Sequence, residues 1–192
     1  MYLTVLLMMI MLLPGCCGYA GGAPSGTCNA MSPKHRASAQ DSASSYTIMP
    51  SANTYDCGDT INVTLSGADF KGFLCQARSN VSKYSTVGSL TNTDNSVTTT
   101  NNCDGEAALT HTESGVKSSF QFSWTHSGAS TENIYIVCTV VQQKATYWEE
   151  LTSAAITYSG SATTCSVSGT GHIVSSVLVV CACILLNMMK LE

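Results

Sequence analysis

The chain has 192 residues, with eight Lys and Arg against twelve Asp and Glu, a formal net charge of −4, and only 10% charged residues. That balance leaves no basic footprint for a phosphate backbone and argues against nucleic-acid binding. With targeting segments set aside at both ends, the remainder is long enough for one domain with an ordinary core and too short for two.

Residues 1–20 open with an apolar run from Val5 to Leu13, broken by Pro14-Gly15 and ending in Gly18-Tyr19-Ala20. This is the layout of a secretory signal peptide cleaved after Ala20, although the customary basic n-region is missing. The run is too short to cross a hydrocarbon core of about 30 Å. Cys16 and Cys17 would leave with it. Gly21–Ser45 is rich in Ala, Ser and Gly and reads as an extended lead-in tied down by Cys28.

Strand patterns follow. Tyr46–Met49 is the first, and Thr60–Ser66 places Ile61, Val63 and Leu65 on one face with Thr60, Asn62 and Thr64 on the other, one face in the core and one in water. A turn is expected at Ser66-Gly67-Ala68-Asp69, then a strand at Gly72–Ser79 in which Phe73, Cys75 and Ala77 alternate with Leu74, Gln76 and Arg78. The small, polar run Asn92–Asn102 reads as an exposed loop carrying a short edge strand, Ser96–Thr100. Ala107–Thr112 and Ser118–Trp124 come next, the latter with Phe120, Phe122 and Trp124 on one face. Asn133–Gln142 is apolar on both faces, as in a central strand, and Thr152–Tyr158 is the last expected strand.

The body shows no helical periodicity. Short strands separated by Gly, Asn and Ser turns predict an all-β fold, an antiparallel, disulfide-bearing β-sandwich that is immunoglobulin-like at most. A true immunoglobulin domain places a core Trp on the third strand between two inter-sheet cysteines, and Trp124 lies well past Cys75.

The tail, Ile173–Met189, is apolar apart from Ser175, Ser176 and Asn187. Two readings compete: a short type I transmembrane helix, and the removable apolar tail of a GPI anchor signal. Processing at Ser159-Gly160-Ser161 would give the usual spacer but discard Cys165, whereas Ser166 or Ser168 keeps Cys165 with a shorter spacer. The expected organisation is a signal peptide over 1–20, one domain over 21–165 and an anchor segment over 166–192.

Of ten cysteines, six lie in the body: Cys28, Cys57, Cys75, Cys103, Cys138 and Cys165. An even number in an exported domain reads as a disulfide framework, and spacing alone does not choose among the connectivities. No Cys-x-x-Cys or Cys-x-x-His pair begins a zinc site, and His35, His111, His126 and His172 are scattered, so no metal and no cofactor are expected. Asn62-Val63-Thr64 and Asn80-Val81-Ser82 are N-glycosylation sequons, with Asn62 on the polar face of its strand. Without a Gly-x-Ser-x-Gly elbow or a phosphate loop, the chain is not expected to be an enzyme. Tyr147 and Trp148, together with Tyr135 and Tyr158, offer aromatic contact surface for a sugar or lipid, against a plainer packing role.

Tyr55-Asp-Cys-Gly-Asp through Arg78, Gly22-Ala23-Pro24 leading to Cys28, Met31-Ser32-Pro33-Lys34-His35, Thr110-His111-Thr112, and Cys138-Thr139-Val140-Val141-Gln142 with Tyr147-Trp148 occur in that spacing. Together they resemble the reeler domain, the module named after the N-terminal region of reelin and also found in F-spondin, ferric-chelate reductase-like membrane proteins and small insect defence proteins. The resemblance implies bridges Cys28–Cys103 and Cys138–Cys165, leaving Cys57 and Cys75 to pair. It also implies structural roles for His35 and His111 near the Cys28–Cys103 bridge. In the reductase-like proteins redox chemistry is attributed to haem-bearing transmembrane helices outside this module, and this chain lacks paired haem-ligating histidines.

The function expected is a cell-surface recognition or adhesion module on the extracellular face of the plasma membrane. Its partners would be microbial surface glycans or lipids, in innate immunity, or other cell-surface proteins, and a secreted form is a further possibility. The alternatives are an ectodomain accessory of a ferric-chelate reductase-like redox system and a structural coat glycoprotein.

Overall fold

The computed structural model describes residues 19–81, 86–92, 98–103 and 106–165, the side chains of 98–103 and 106–107 apart. Eleven strands lie among them: β1 Thr47–Pro50, β2 Thr54–Tyr55, β3 Thr60–Phe70, β4 Gly72–Arg78, β5 Ser89–Thr91, β6 Thr98–Cys103, β7 Glu106–His111, β8 Lys117–Thr125, β9 Tyr135–Gln143, β10 Thr146–Thr152 and β11 Thr157–Tyr158. One sheet has the order β1-β3-β8-β5, a second β10-β9-β4-β7-β6, and β11 pairs in parallel with β2. The two large sheets are antiparallel throughout and stack as a sandwich.

The inner layers follow the alternation read from sequence. Ile61, Val63 and Leu65 of β3 and Phe120, Phe122 and Trp124 of β8 meet Phe73, Cys75 and Ala77 of β4 and Ile136, Cys138 and Val140 of β9 in one core. Phe73 and Phe120 stack across it with centroids 4.7 Å apart, and Tyr55 meets Trp124 edge-on at 5.2 Å. The Trp124 indole donates to the Val87 carbonyl at 2.7 Å, satisfying its one polar atom inside the core.

The turn expected at Ser66–Asp69 is instead a bulge within β3. The strand takes four steps from Ser66 to Phe70 against two steps from Ser119 to Lys117 on β8. Gly67 allows this, at φ +136 with the Ser45 backbone so close that a Cβ would lie 2.1 Å from the Ser45 oxygen. Lys71 alone then turns the chain into the other sheet. The expected strand at Thr152–Tyr158 is likewise replaced, by β10 and β11 with Ser153–Ile156 between them. β10 escaped the pattern because its register is broken between Trp148 and Leu151, where Glu150 sits at φ 49. Its two glutamates also interrupt the alternation.

The second face of β4, which alternates with Phe73, Cys75 and Ala77, is buried too. Leu74, Gln76 and Arg78 are at most 4% exposed, because the lead-in from Tyr19 to Ser45 is a third layer lying on the outer face of the five-stranded sheet. Cys28 and Met31 pack with Leu74, Ala108 and Val137. Thr139 Oγ1 donates to the Met31 carbonyl at 2.7 Å, and Arg78 Nη2 to the Cys28 carbonyl at 3.3 Å. A strand buried on both faces and paired at both edges is the reason β4 has no solvent side at all.

The disulfide pairing differs from the one the resemblance implies. Cys75 bonds Cys138 and Cys57 bonds Cys165, in place of Cys138 with Cys165 and Cys57 with Cys75. β3 and β4 belong to different sheets, so Cys57, before β3, is not carried alongside Cys75. Cys75 instead lies directly opposite Cys138 on the neighbouring strand, with a Cα separation of 4.2 Å. Cys57 waits at the far end of the sandwich, where Cys165 arrives with a Cα separation of 5.4 Å. Cys28 is disulfide-bonded. The expected partner, Cys103, has its side chain outside the described residues.

Among the described residues no helix is long and apolar enough to cross a membrane, and the only helical piece is a 3-10 turn at Ser25–Thr27. The runs Val5–Leu13 and Ile173–Met189, expected to be a signal peptide and an anchor segment, lie outside the described residues.

Candidate functional site

A cleft of about 400 Å³ opens at the end of the sandwich where β3 turns into β4. Five segments build it: the lead-in from Tyr19 to His35, the turn at Lys71-Gly72, the start of β4, the end of β7 with Ser114, and the hairpin joining β9 to β10. Its floor is apolar, formed by Met31, Phe73, Leu74 and Val141 with Ala23 and Pro33 from the lead-in. Lys34, Lys71 and Lys144, all exposed, stand around it, and no Asp or Glu is among the lining residues. Three of the eight basic residues of an acidic chain therefore converge on one cleft.

His111 forms the polar wall. Its Nδ1 accepts from the Phe73 amide at 3.1 Å, and its Nε2–H donates to the Tyr19 carbonyl at 3.1 Å. The Phe73 carbonyl is taken by Thr110 Oγ1 at 2.8 Å, which in turn accepts from the Ala23 amide at 2.9 Å. Burial holds the imidazole below the usual histidine range, and the Lys117 charge adds to that. The carbonyls of Phe73 and Tyr19 and the Glu113 carboxylate act in the opposite direction. Two glycines let backbone close on this residue, one on its ring and one on its carbonyl. A Cβ on Gly72 would come within 2.8 Å of His111 Cε1, and one on Gly22, at φ +113, within 2.7 Å of the His111 carbonyl.

The nearby Glu113 is held by Lys117, whose ammonium donates to its carboxylate at 3.0 Å and to the carbonyls of Lys71, Glu113 and Gly115. Lys117 thus fastens the β3–β4 turn to the loop after β7. It also pairs with the carboxylate that precedes the lining residue Ser114.

His35 also lines the cleft, edge-on to Tyr147 with centroids 5.9 Å apart, and its Nδ1 is buried without a hydrogen-bond partner among the described residues. Tyr147 itself is 2% exposed and its hydroxyl donates to the Ala37 carbonyl. Trp148 packs against Tyr46 and donates to the Ser42 carbonyl at 3.0 Å. Both rings therefore hold the lead-in onto the sheet, and Tyr147 has no face left for a ligand. Asn62 is exposed on the outer face of the four-stranded sheet, accepting from Ser123 Oγ at 2.8 Å, and Asn80 is exposed after β4. Among the described residues no group of three or more His, Cys, Asp or Glu is placed to hold a metal ion.

The sequence did not reveal this cleft, because its walls come from segments up to about 125 positions apart and its three lysines belong to an irregular lead-in and two turns. A signal was nevertheless present. Gly22-Ala23-Pro24, Met31 to His35, and His111, quoted above for the resemblance, all meet here.

The reeler domain family model matches residues 26–164. The chain is 35% identical over 170 residues to a Danio rerio protein named for ferric-chelate reductase 1, a match covering 81% of this chain and 29% of that one. It is 34% identical over 143 residues to an Antheraea mylitta protein named as a defense protein, covering 72% of this chain and 86% of that one. The crystal structure of the human F-spondin reeler domain superposes with a TM-score of 0.55 at 20% identity, covering 65% of this chain and 95% of that one.

Proposed function

The chain belongs to the reeler domain family, and from that premise we propose that it is a non-catalytic recognition module displayed at the cell surface, whose cleft engages microbial surfaces. The observation that carries this reading is the position of the cleft relative to the point where the domain ends. Cys165 is stapled to Cys57 beside the start of β3, and the cleft lies beyond the end of the same strand. Ten steps along β3 separate the two ends by roughly 33 Å at ~3.3 Å per residue. A chain anchored after Cys165 would therefore hold the cleft away from the membrane, and processing at Ser159–Ser161 would sever the Cys57–Cys165 tie. Similarity across 86% of a defense-named protein supports a function carried by this one domain.

The test is display of the full chain on cells, with binding of labelled bacterial envelope fragments and cell-wall polymers. Ser32, half-buried in the cleft wall, gives a blocking variant, Ser32→Trp. Binding that Ser32→Trp abolishes is the expected result, and no binding to any member of the panel overturns the proposal. The similarity to the ferric-chelate reductase-named protein favours a second reading, an ectodomain accessory of a redox partner, although the match spans only 29% of that protein. Haem or iron that copurifies with the chain would select it.

A further inference from the structure

We infer that the cleft binds a single-chain amphiphile with an anionic head, its tail on the apolar floor and its carboxylate or phosphate among Lys34, Lys71 and Lys144. This deepens the recognition role proposed above and names the ligand class of the same site. Three observations converge on it.

The floor supplies what an alkyl chain needs. Met31, Phe73, Leu74 and Val141 are contributed by two layers, and the cavity they bound is within the size range of sites that take small molecules. Burial there removes apolar surface of the tail from water at about 0.8 kcal/mol per methylene. A sugar, ringed by hydroxyls, would leave many of those donors and acceptors unpaired in so apolar a floor, which an alkyl chain would not.

The rim supplies the charge. Lys34 comes from the lead-in, Lys71 from the β3–β4 turn and Lys144 from the β9–β10 hairpin, so three independent elements aim the same sign at one opening. No carboxylate lines the cleft to oppose them, and Glu113, next to the lining residue Ser114, is ion-paired with Lys117. In a chain of net charge −4 this local excess of positive charge selects an anion over a neutral or cationic head. Compact ammonium groups suit a phosphate or carboxylate approached from several directions.

The wall keeps polar atoms in reserve. His35 has a buried Nδ1 without a partner among the described residues. His111 Nε2–H is satisfied by the carbonyl of Tyr19, a residue that also lines the cleft with Ala20. Cleavage after Ala20, expected from the sequence, would remove both residues, widen the opening and free that donor for a headgroup.

The experiment uses the full chain displayed on cells and a dodecanoate carrying a photoactivatable diazirine on its tail, with crosslinked peptides mapped by mass spectrometry. Label is expected on Met31, Phe73 or Val141. Dodecanoate and dodecyl phosphate should compete, their ratio reporting which headgroup is preferred, while dodecyl maltoside and dodecyltrimethylammonium should not. Reversing two rim charges, with Lys34→Glu and Lys71→Glu together, should lower labelling about tenfold, as two lost ion pairs imply. Lys71→Arg should retain it. Both lysines are exposed, so these variants leave the core untouched.

Equal competition by the maltoside, label outside the cleft, or labelling unchanged by the double reversal would each overturn the inference. Failure here is separable from failure of the recognition role. Envelope binding that Ser32→Trp abolishes, without any anion preference, leaves that role standing. Anion-selective labelling of a chain that binds no envelope material leaves only this inference standing.

Discussion

Replacing Arg78 by Met asks what holds the lead-in onto the sheet. The guanidinium is 1% exposed and donates through Nε to Gln76 Oε1 at 2.9 Å, through Nη1 to Glu150 Oε1 at 2.9 Å and through Nη2 to the Cys28 carbonyl at 3.3 Å. Met fills much of the same volume and supplies none of the donors. The Asn29 carbonyl, 3.5 Å from Nη2, is a fourth and weaker partner, and the four do not lose equally. Glu150 is 48% exposed, so its freed carboxylate rehydrates and its share is about 0.5 kcal/mol. Gln76 is 0% exposed with Nε2 already unpartnered, and the Cys28 carbonyl lies under the lead-in. Stranding those two acceptors costs about 1–2 kcal/mol each. Arg78→Met should therefore lose about 3 kcal/mol, a large share of the roughly 5–15 kcal/mol that stabilises an ordinary domain. Glu150→Gln should lose about 0.5 kcal/mol. Urea unfolding followed by tryptophan fluorescence gives both values. Trypsin adds a local readout, because Lys34 and Arg36 are exposed on the lead-in and should be cut faster in Arg78→Met before the sandwich opens. Equal losses for the two variants would show that the ion pair, not the clamp on the buried acceptors, is what matters, and would refute the reasoning.

Non-reducing peptide mapping should recover Cys57 linked to Cys165 and Cys75 linked to Cys138, and recovery of Cys57 with Cys75 would contradict the sheet assignment. Converting both Cys75 and Cys138 to Ala opens a loop spanning a separation of 63 residues, which on chain entropy alone costs about 4 kcal/mol in a urea titration. His111 is held below the range it occupies in an unfolded chain, so between those two values the unfolded state binds more protons and stability rises with pH. Acidification from about pH 7 to pH 5 should lower the melting temperature, and His111→Gln should flatten that part of the profile. Glu113, depressed by its hydrogen bond from Lys117, titrates below the carboxylate range and leaves this window alone. Gly72→Ala should cost about 1–3 kcal/mol by pushing a methyl against the His111 ring, measurable as a lower urea midpoint, and an unchanged midpoint would mean the ring yields freely.

Period-two alternation legible in the sequence determined which residues of this protein face the core. Ile61, Val63 and Leu65, like Phe120, Phe122 and Trp124, point inward as their spacing dictates, because a strand places successive side chains on opposite faces whatever it pairs with. The run of short alternating strands likewise predicted an all-β antiparallel sandwich, and the even cysteine count predicted disulfides, as the described residues show. Only the tertiary structure decided which strands are neighbours, and every departure follows from that. Cys75 bonds Cys138 because β4 lies beside β9, and the turn read at Gly67 became a bulge because Ser45 passes next to it. Leu74, Gln76 and Arg78 are buried because a loop without periodicity folds back over them. The cleft belongs to the same class. Its floor, rim and histidine wall come from segments far apart in the chain, and local spacing carries no information about residues that meet only when sheets and lead-in are stacked.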